Sequence, residues 1–294
     1  MRWTFLLKRT AVFVVAGLLA ACQTVPSTAP SGPGAAGAIE STPLPVVSHA
    51  PATAVERGFS ALVVNAASGE ELYAVDADGA RFPASLSKMM TLYLLFEAVS
   101  DGRYSLSSPL TVSARAASRP PAKIGLKAGS TITVEQAARA LAVKSANDVA
   151  VVIAENLAGS ETAFARQMTQ RARALGLTRT RFVNATGLPD PGQVTTARDM
   201  ASLGLALKRR FPQYGSYYRA KSFSYNGRSF RATNNLIGTV AGVDGLKTGY
   251  IRMSGYNLVA TANRGGRQLI VVVMGGKSEA ARDREVTRLI ESYS

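Results

Sequence analysis

The sequence predicts an α/β protein of the α+β kind, built on one antiparallel five-stranded sheet that is flanked by helices. Two short strand patterns lie between residues 59 and 76, and three more lie between residues 242 and 274. A long stretch with the apolar spacing of helices separates the two groups. We therefore expect strands from both ends of the chain to share one sheet, and the middle to form an all-helical subdomain over about residues 100–235.

The first 21 residues are typical of an export signal. Three basic residues precede an apolar run over residues 11–21 that is too short to span a bilayer. The run ends in Leu19-Ala-Ala-Cys22, which resembles the lipobox of bacterial lipoproteins. We expect residues 1–21 to be removed and Cys22 to be lipidated, because several acyl chains on one residue anchor a protein stably. The protein would then be exported to the periplasmic face of the envelope as a membrane-anchored lipoprotein, and Gln23 favours the outer membrane by analogy with enteric sorting.

Residues 22–56 are interpreted as a disordered tether. Six of the thirteen prolines lie here among Ala, Gly, Ser and Thr, without apolar periodicity. The folded body is expected to occupy residues 57–294. Its 47% hydrophobic composition, counted over the whole chain, suits one large globular core.

The elements of the body can be predicted in order. Strands near residues 59–65 and 71–76 should form a hairpin around Ser68-Gly69. A helix from about Ser85 to Val99 is apolar on most faces and should be buried.

The middle and the end of the chain follow the same logic. Asp148 is expected to cap a helix, and Thr196 with Asp199 has the pattern of a capping box. Apolar spacing predicts helices over residues 134–143, 148–157, 161–175 and 196–210, strands over residues 242–247, 256–262 and 267–274, and a closing helix over residues 281–291.

The residue types present restrict the chemistry of a catalytic site. His49 is the only histidine and Cys22 the only cysteine, and both precede the folded body. A Ser-His-Asp triad, a Cys-His dyad and a zinc site with imidazole or thiolate ligands are therefore excluded, and no metal or other cofactor is expected. A hydroxyl activated by a lysine remains as a nucleophile for neutral pH.

Ser85 and Lys88 offer such a pair at the start of the buried helix, since residues at i and i+3 share a helix face. Burial and the dipole at the helix N-terminus should lower the pKa of the Lys88 amine, so that it can take the Ser85 proton. A Ser-x-x-Lys string has little specificity by itself, and a lysine that extends outward to water would explain it as well.

Two more motifs follow. Lys144-Ser145-Ala146-Asn147 lies in a predicted break between helices, where its polar side chains either point into a cleft or simply cap a helix. Asp244-Gly-Leu-Lys247-Thr248-Gly249 lies in a predicted strand, where a lysine faces solvent unless it lines a site and a glycine permits close backbone approach. Each motif is weak alone, but the three in this order are specific.

Together they form the active-site signature of serine β-lactamases and penicillin-binding proteins. Residues 57–294 resemble the low-molecular-mass D-alanyl-D-alanine carboxypeptidases of peptidase family S11. The resemblance extends to Asn184-Ala-Thr-Gly187, Thr196-Ala-Arg-Asp-Met200 and Gly255-Tyr-Asn-Leu-Val-Ala260. It implies a DD-peptidase or serine β-lactamase-like fold.

The resemblance also implies an acyl-enzyme mechanism on peptidoglycan stem peptides that end in D-Ala-D-Ala, with β-lactam antibiotics as covalent inhibitors. Ser85 would attack the carbonyl of the penultimate D-Ala, Lys88 would be the base, and Ser145 would relay a proton to the leaving amine. The implied substrate-binding residues are Asn147, Lys247, Thr248, Gly249, Tyr250 and Arg282.

Within this set, Asn147 would orient the substrate amide, Lys247 would support the electrostatics of Ser145, and Thr248 would meet the substrate carboxylate. Backbone N–H groups of Ser85 and Tyr250 would form an oxyanion hole. Arg282 would position Thr248 or the carboxylate, although Arg284 could replace it. Tyr250 departs from the histidine of some relatives, which should affect the fit of the leaving group rather than the backbone donor.

Three alternatives to a carboxypeptidase stay open. A DD-endopeptidase that cleaves crosslinks would use the same chemistry. A β-lactamase would need a glutamate in a loop beyond the second motif, and residues 180–186 contain no carboxylate. An inactive wall-binding lipoprotein would keep the fold for recognition only. The formal net charge of +15 points to anionic wall polymer, anionic lipid or a substrate carboxylate rather than nucleic acid, and a solvated basic face without a partner fits it equally well.

Overall fold

The computed structural model describes residue 55 and residues 57–294. The predicted signal segment, nearly all of the predicted tether and Cys22 lie outside the described residues. The strands are β1 Ser60–Asn65, β2 Glu71–Val75, β3 Pro109–Thr111, β4 Thr131–Thr133, β5 Ser222–Tyr225, β6 Arg228–Arg231, β7 Val243–Ile251, β8 Gly255–Arg264 and β9 Arg267–Gly276. The α-helices are α1 Lys88–Ser100, α2 Ala114–Ala117, α3 Val134–Lys144, α4 Asn147–Ala158, α5 Glu161–Ala174, α6 Ala197–Arg210, α7 Gly215–Arg219 and α8 Glu279–Tyr293.

The main sheet has five strands in the order β2-β1-β9-β8-β7, and every neighbouring pair is antiparallel. The predicted sheet with strands from both ends of the chain is therefore confirmed. Helix α8 packs on β8 and β9, and α6 packs on β1, β8 and β9. Because both faces are covered, β9 is a continuous buried apolar run from Leu269 to Met274 rather than an alternating pattern.

Helix α1 lies at the centre of the molecule, in contact with α3, α4, α5 and α6. All of its residues from Lys88 to Ala98 are buried, as the sequence predicted. Its first turn differs from the expectation, because residues Ala84–Ser87 form a 3-10 turn and the α-helix begins only at Lys88. Ser85 therefore lies in the 3-10 turn, and Lys88 is the first residue of the α-helix.

The predicted cap of α4 is wrong. The helix begins at Asn147 with Ala146 as its N-cap, so Asp148 already lies within the first turn. The buried Asp148 carboxylate instead accepts backbone N–H groups from Ile124, Gly125 and Leu126 at 3.0–3.3 Å. A buried carboxylate needs several hydrogen-bond donors. Asp148 finds three of them in the loop of residues 124–126, which is remote in sequence.

The predicted capping box of α6 is only half formed. Thr196 caps the helix by accepting the N–H of Asp199 at 3.0 Å. The Asp199 carboxylate does not reach back to Thr196, since it accepts the N–H of Arg179 and the hydroxyl of Thr180. Asp199 therefore joins two segments of the chain instead of closing its own helix end.

The middle of the chain is not entirely helical. Two small antiparallel sheets, β3-β4 and β5-β6, interrupt it. Strands of three or four residues are too short for apolar alternation to reveal them, which is why the sequence did not predict them. Among the described residues, no helix combines the length and the apolar composition that crossing a bilayer requires.

Candidate active site

Ser85 and Lys88 contact each other directly. In a 3-10 turn the side chains at i and i+3 lie one above the other, and the Lys88 Nζ atom is 2.9 Å from the Ser85 Oγ atom. The same amine donates to the carbonyl oxygen of Thr186 at 2.5 Å. Lys88 is 0% exposed, so it does not extend outward to water.

The surroundings of Lys88 favour its uncharged form. Burial, and secondarily the nearby charge of Lys247, hold the pKa of the Lys88 amine well below its ordinary value, while Glu161 opposes the shift. The Glu161 carboxylate is itself engaged by Arg115, Arg119 and the N–H of Ala185. A neutral amine at hydrogen-bond distance from a hydroxyl is the arrangement that general-base activation requires.

Two glycines allow the chain to close around the 3-10 turn. A Cβ atom at Gly249 of β7 would lie 3.1 Å from the Ser85 nitrogen, and one at Gly187 would overlap the Ala84 carbonyl. Ala84 itself has a φ of +48°, a conformation that costs a non-glycine residue roughly 1–3 kcal/mol. Strand β7 and the loop of residues 184–187 therefore pack closely against the turn, which contains this strained residue.

Asn257 of β8 fixes the two residues that precede the same turn. Its Nδ2 group donates to the carbonyl oxygens of Phe82 and Pro83 at 3.1 and 3.3 Å, and its Oδ1 atom accepts the N–H of Gly275 at 3.0 Å. The side chain is fully buried. Sequence reasoning quoted Asn257 within a motif but did not predict this role, because the partners are 174 and 175 residues away.

The second motif lies between two helices that pack on α1. Ser145 ends α3 in the left-handed conformation, with a φ of +61°, and its buried Oγ atom has no hydrogen-bond partner among the described residues. Asn147 donates its side-chain amide to Pro120 O at 3.0 Å, so the Asn147 Oδ1 atom is the part of the side chain left to accept. A left-handed residue is a common end of a helix, but a buried hydroxyl without a partner is not explained by capping.

The third motif lies on β7, the edge strand of the sheet beside the turn. Lys247 is 1% exposed, and burial together with Arg282 lowers the pKa of its amine to about 7. The Thr248 hydroxyl donates to Thr233 Oγ1 at 2.8 Å. Tyr250 is 53% exposed and packs against Tyr256 with ring centroids 4.3 Å apart.

Arg282 is buried at the start of α8, and Arg284 is exposed. The Arg282 guanidinium bonds to Asp283 at 2.6 Å and to Glu279 at 3.4 Å, and its charge acts on Lys247. Thr248 is held by Thr233 and not by Arg282, a partner that sequence reasoning missed because residue 233 follows a short hairpin and carries no motif of its own.

Within residues 57–294, no cluster of three or more His, Cys, Asp or Glu side chains is arranged to hold a metal ion. Among the side chains of the three motifs, Lys88 contacts Ser85 directly and its amine feels the charge of Lys247.

Comparison with known proteins points to one family. The family model for D-alanyl-D-alanine carboxypeptidases of peptidase family S11 matches residues 47–278. The carboxypeptidase DacA of Escherichia coli is 38% identical, over 79% of this chain and 59% of that protein. DacF of Bacillus subtilis is 34% identical, over 79% of this chain and 61% of that protein. The chain thus spans about three fifths of the length of these relatives.

Solved structures show the same likeness. Penicillin-binding protein 5 from Haemophilus influenzae is 33% identical with a TM-score of 0.76, over 79% of this chain and 69% of that chain. Penicillin-binding protein D2 from Listeria monocytogenes, in its cefotaxime-bound form, is 32% identical with a TM-score of 0.73, over 80% of this chain and 96% of that chain. The protein belongs to the D-alanyl-D-alanine carboxypeptidases of peptidase family S11.

Proposed function

We propose that the protein is a serine-type D-Ala-D-Ala carboxypeptidase, which removes the terminal D-Ala from peptidoglycan stem peptides through a penicillin-sensitive acyl-enzyme. The observation that carries this proposal is the buried contact between Lys88 Nζ and Ser85 Oγ. Family membership supports it, and so does the cefotaxime bound to penicillin-binding protein D2 of Listeria monocytogenes.

Acylation begins with transfer of the Ser85 proton to the neutral Lys88 amine. Ser85 Oγ then forms a bond to the carbonyl carbon of the penultimate D-Ala, and the carbonyl oxygen becomes an oxyanion. Backbone N–H groups of Ser85 and Tyr250 are the proposed donors to it, consistent with the close approach of Gly249 to the Ser85 nitrogen. Collapse of the tetrahedral intermediate breaks the peptide bond and leaves an ester on Ser85.

The leaving amine needs a proton when that bond breaks. Ser145 is proposed to pass it on, because its buried hydroxyl has no other partner among the described residues. Lys247, whose pKa is about 7, is proposed to stabilise the negative charge that develops on the Ser145 oxygen as it gives up its proton. Water then hydrolyses the ester, with Lys88 again acting as the base, so that the net reaction is hydrolysis of one peptide bond.

The charged form of Lys247 and the Thr248 hydroxyl are proposed to bind the terminal carboxylate, with Arg282 adding positive charge close to Lys247. Binding would require the Thr248 hydroxyl to turn from Thr233 Oγ1 to the carboxylate. Asn147 Oδ1 is proposed to accept the substrate amide N–H, since the other end of that side chain is bound to Pro120.

Location is a separate part of the proposal and rests on residues 1–56 of the sequence. The chain is proposed to be exported and held at the periplasmic face of the envelope by lipid on Cys22, with Gln23 directing it to the outer membrane.

Covalent labelling and product analysis test the activity together. A fluorescent penicillin should label the wild type stably, whereas Ser85→Ala and Lys88→Ala should lose labelling while keeping the circular dichroism of the wild type. Pentapeptide muropeptides should release free D-Ala, detected by mass analysis. A folded wild type that takes no label would contradict the proposal. Cleavage of crosslinked dimers without release of D-Ala would instead indicate a DD-endopeptidase, and steady nitrocefin turnover a β-lactamase.

The pH dependence of acylation should report the Lys88 amine. Acylation falls as the pH drops through the pKa of Lys88, because the protonated amine cannot accept the serine proton. Lys247→Gln removes a positive charge that lowers this pKa, so the pKa of Lys88 rises and the acidic limb of the rate profile moves to higher pH. The exposed Lys127→Gln is the control and should leave the limb in place. A limb that stays fixed or moves to lower pH in Lys247→Gln would refute the coupling.

Asn257 is expected to position the nucleophile rather than to react. Asn257→Asp replaces two N–H donations to Phe82 and Pro83 with repulsion between oxygens, so the turn should shift. Because small displacements at a reacting centre cost about 100-fold in rate, the acylation rate constant of the folded, active fraction should fall by that order, with a smaller change in initial penicillin affinity. The exposed Asn263→Asp on the same strand should acylate normally. An unchanged rate constant in Asn257→Asp would show that the residue serves stability alone.

A further inference from the structure

A second concave surface lies outside the catalytic centre, between helix α5 and residues 181–183. It has a volume of about 440 Å³. Its walls carry Arg166 and Arg173 from α5 and Arg181 from the facing segment. We call this surface the α5 groove, and Thr162, Ala165, Thr169, Gln170, Phe182 and Val183 complete its lining.

The three arginines of the α5 groove are exposed and form no ion pair with the described residues. Arg171 on the same helix, by contrast, forms an ion pair with Glu97 at 2.7 Å. Asp190 lies near Arg181, since a Cβ atom at Gly192 would be 3.2 Å from the Asp190 Oδ1 atom and 4.0 Å from the Arg181 Cζ atom. The Asp190 carboxylate accepts the N–H of Gly192 at 2.8 Å and forms no ion pair with Arg181. No lining residue of the groove is acidic.

The floor of the α5 groove is apolar and fixed. Ala165 and Phe182 are buried. Thr169 Oγ1 accepts the Phe182 N–H at 2.9 Å and donates to the Phe182 carbonyl at 3.0 Å, which ties the facing segment to α5. Three cations around one rigid concavity repel one another, and a bound anionic ligand would offset this repulsion.

One wall of the α5 groove leads in sequence into the loop of residues 184–187. Phe182 and Val183 precede residues 184–187, and Thr186 of that loop accepts the Lys88 amine. The wall of the groove is thus joined, within a few residues of chain, to a loop that contacts Lys88. Peptidoglycan offers free carboxylates on every stem peptide, so a polymer threaded past the site would bring several of them within reach.

We propose that the α5 groove binds the carboxylates of a second stem peptide of the peptidoglycan network and so retains the enzyme on its polymeric substrate. This inference rests on the proposed function for the identity of the polymer. Each guanidinium can bind a carboxylate through two parallel hydrogen bonds. Binding at an exposed groove of this kind weakens as salt is added, since the screening length is about 8 Å at 0.15 M.

The test separates the groove from the catalytic cleft. Full-length protein is first acylated on Ser85 with benzylpenicillin, which blocks the cleft, and is then cosedimented with sacculi stripped of accessory anionic polymers. The variant Arg166→Gln/Arg173→Gln/Arg181→Gln should bind about tenfold more weakly, which lies within the range expected for the loss of three exposed charge contacts. Its penicillin acylation rate should equal that of the wild type. Sacculi whose carboxylates have been converted to neutral methylamides should lose the wild-type binding.

A charge-matched control variant, Arg219→Gln/Arg231→Gln/Arg267→Gln, removes three exposed arginines outside the groove and should bind sacculi nearly as well as the wild type. Equal losses in the two triple variants would show that net charge alone is responsible and would overturn the proposal. The proposal would also be overturned if the groove variant bound sacculi as tightly as the wild type. The same holds if the wild type bound only sacculi that retain the accessory phosphate polymers. Failure of penicillin to acylate Ser85 would refute the proposed function and not the groove.

Discussion

The short contact between a buried lysine amine and a serine hydroxyl is the interaction on which the rest of the site depends. An ordinary lysine is almost entirely protonated at neutral pH and cannot act as a base. Lys88 avoids this state because α1 is enclosed by other helices and because a second buried lysine lies close by. The charged form would need solvation that the interior does not provide, so burial shifts the equilibrium toward the neutral amine.

The fold makes this possible by joining distant parts of the chain. Strands β7 and β8 come from the C-terminal part and the 3-10 turn from the N-terminal part, and they meet because all the main strands enter one sheet. Gly249 lets β7 approach the turn, and Asn257 fixes the turn to β8. The site thus has a rigid sheet on one side and helices on the other, which satisfies the need to hold reacting groups within a fraction of an ångström. Two buried lysines disfavour the folded state, and the large apolar core around α1 compensates for them.

The sequence predicted the features that depend on local pattern and failed where distant partners decide. Short apolar runs between turn residues located all five strands of the main sheet, and apolar periodicity located the longer helices. The apolar setting of Lys88 predicted its burial. The role of Asp148 could not be predicted from the neighbouring residues. The same carboxylate can cap its own helix or accept N–H groups from a loop that is remote in sequence. Thr233 and Asn257 were missed for the same reason, since their partners are brought close only by the tertiary fold. The short hairpins β3-β4 and β5-β6 contain too few residues to show a period.

The protonation state of Lys88 can be measured directly by NMR titration of lysine side chains labelled with ¹³C at Cε, with the Lys88 signal assigned from its loss in Lys88→Arg. We expect this signal to have the chemical shift of a neutral amine at pH 7 and to titrate well below an ordinary lysine, and the Lys247 signal to titrate near pH 7. A Lys88 signal that stays in the charged form up to about pH 10, as for an exposed lysine, would show that Lys88 cannot act as the base at neutral pH.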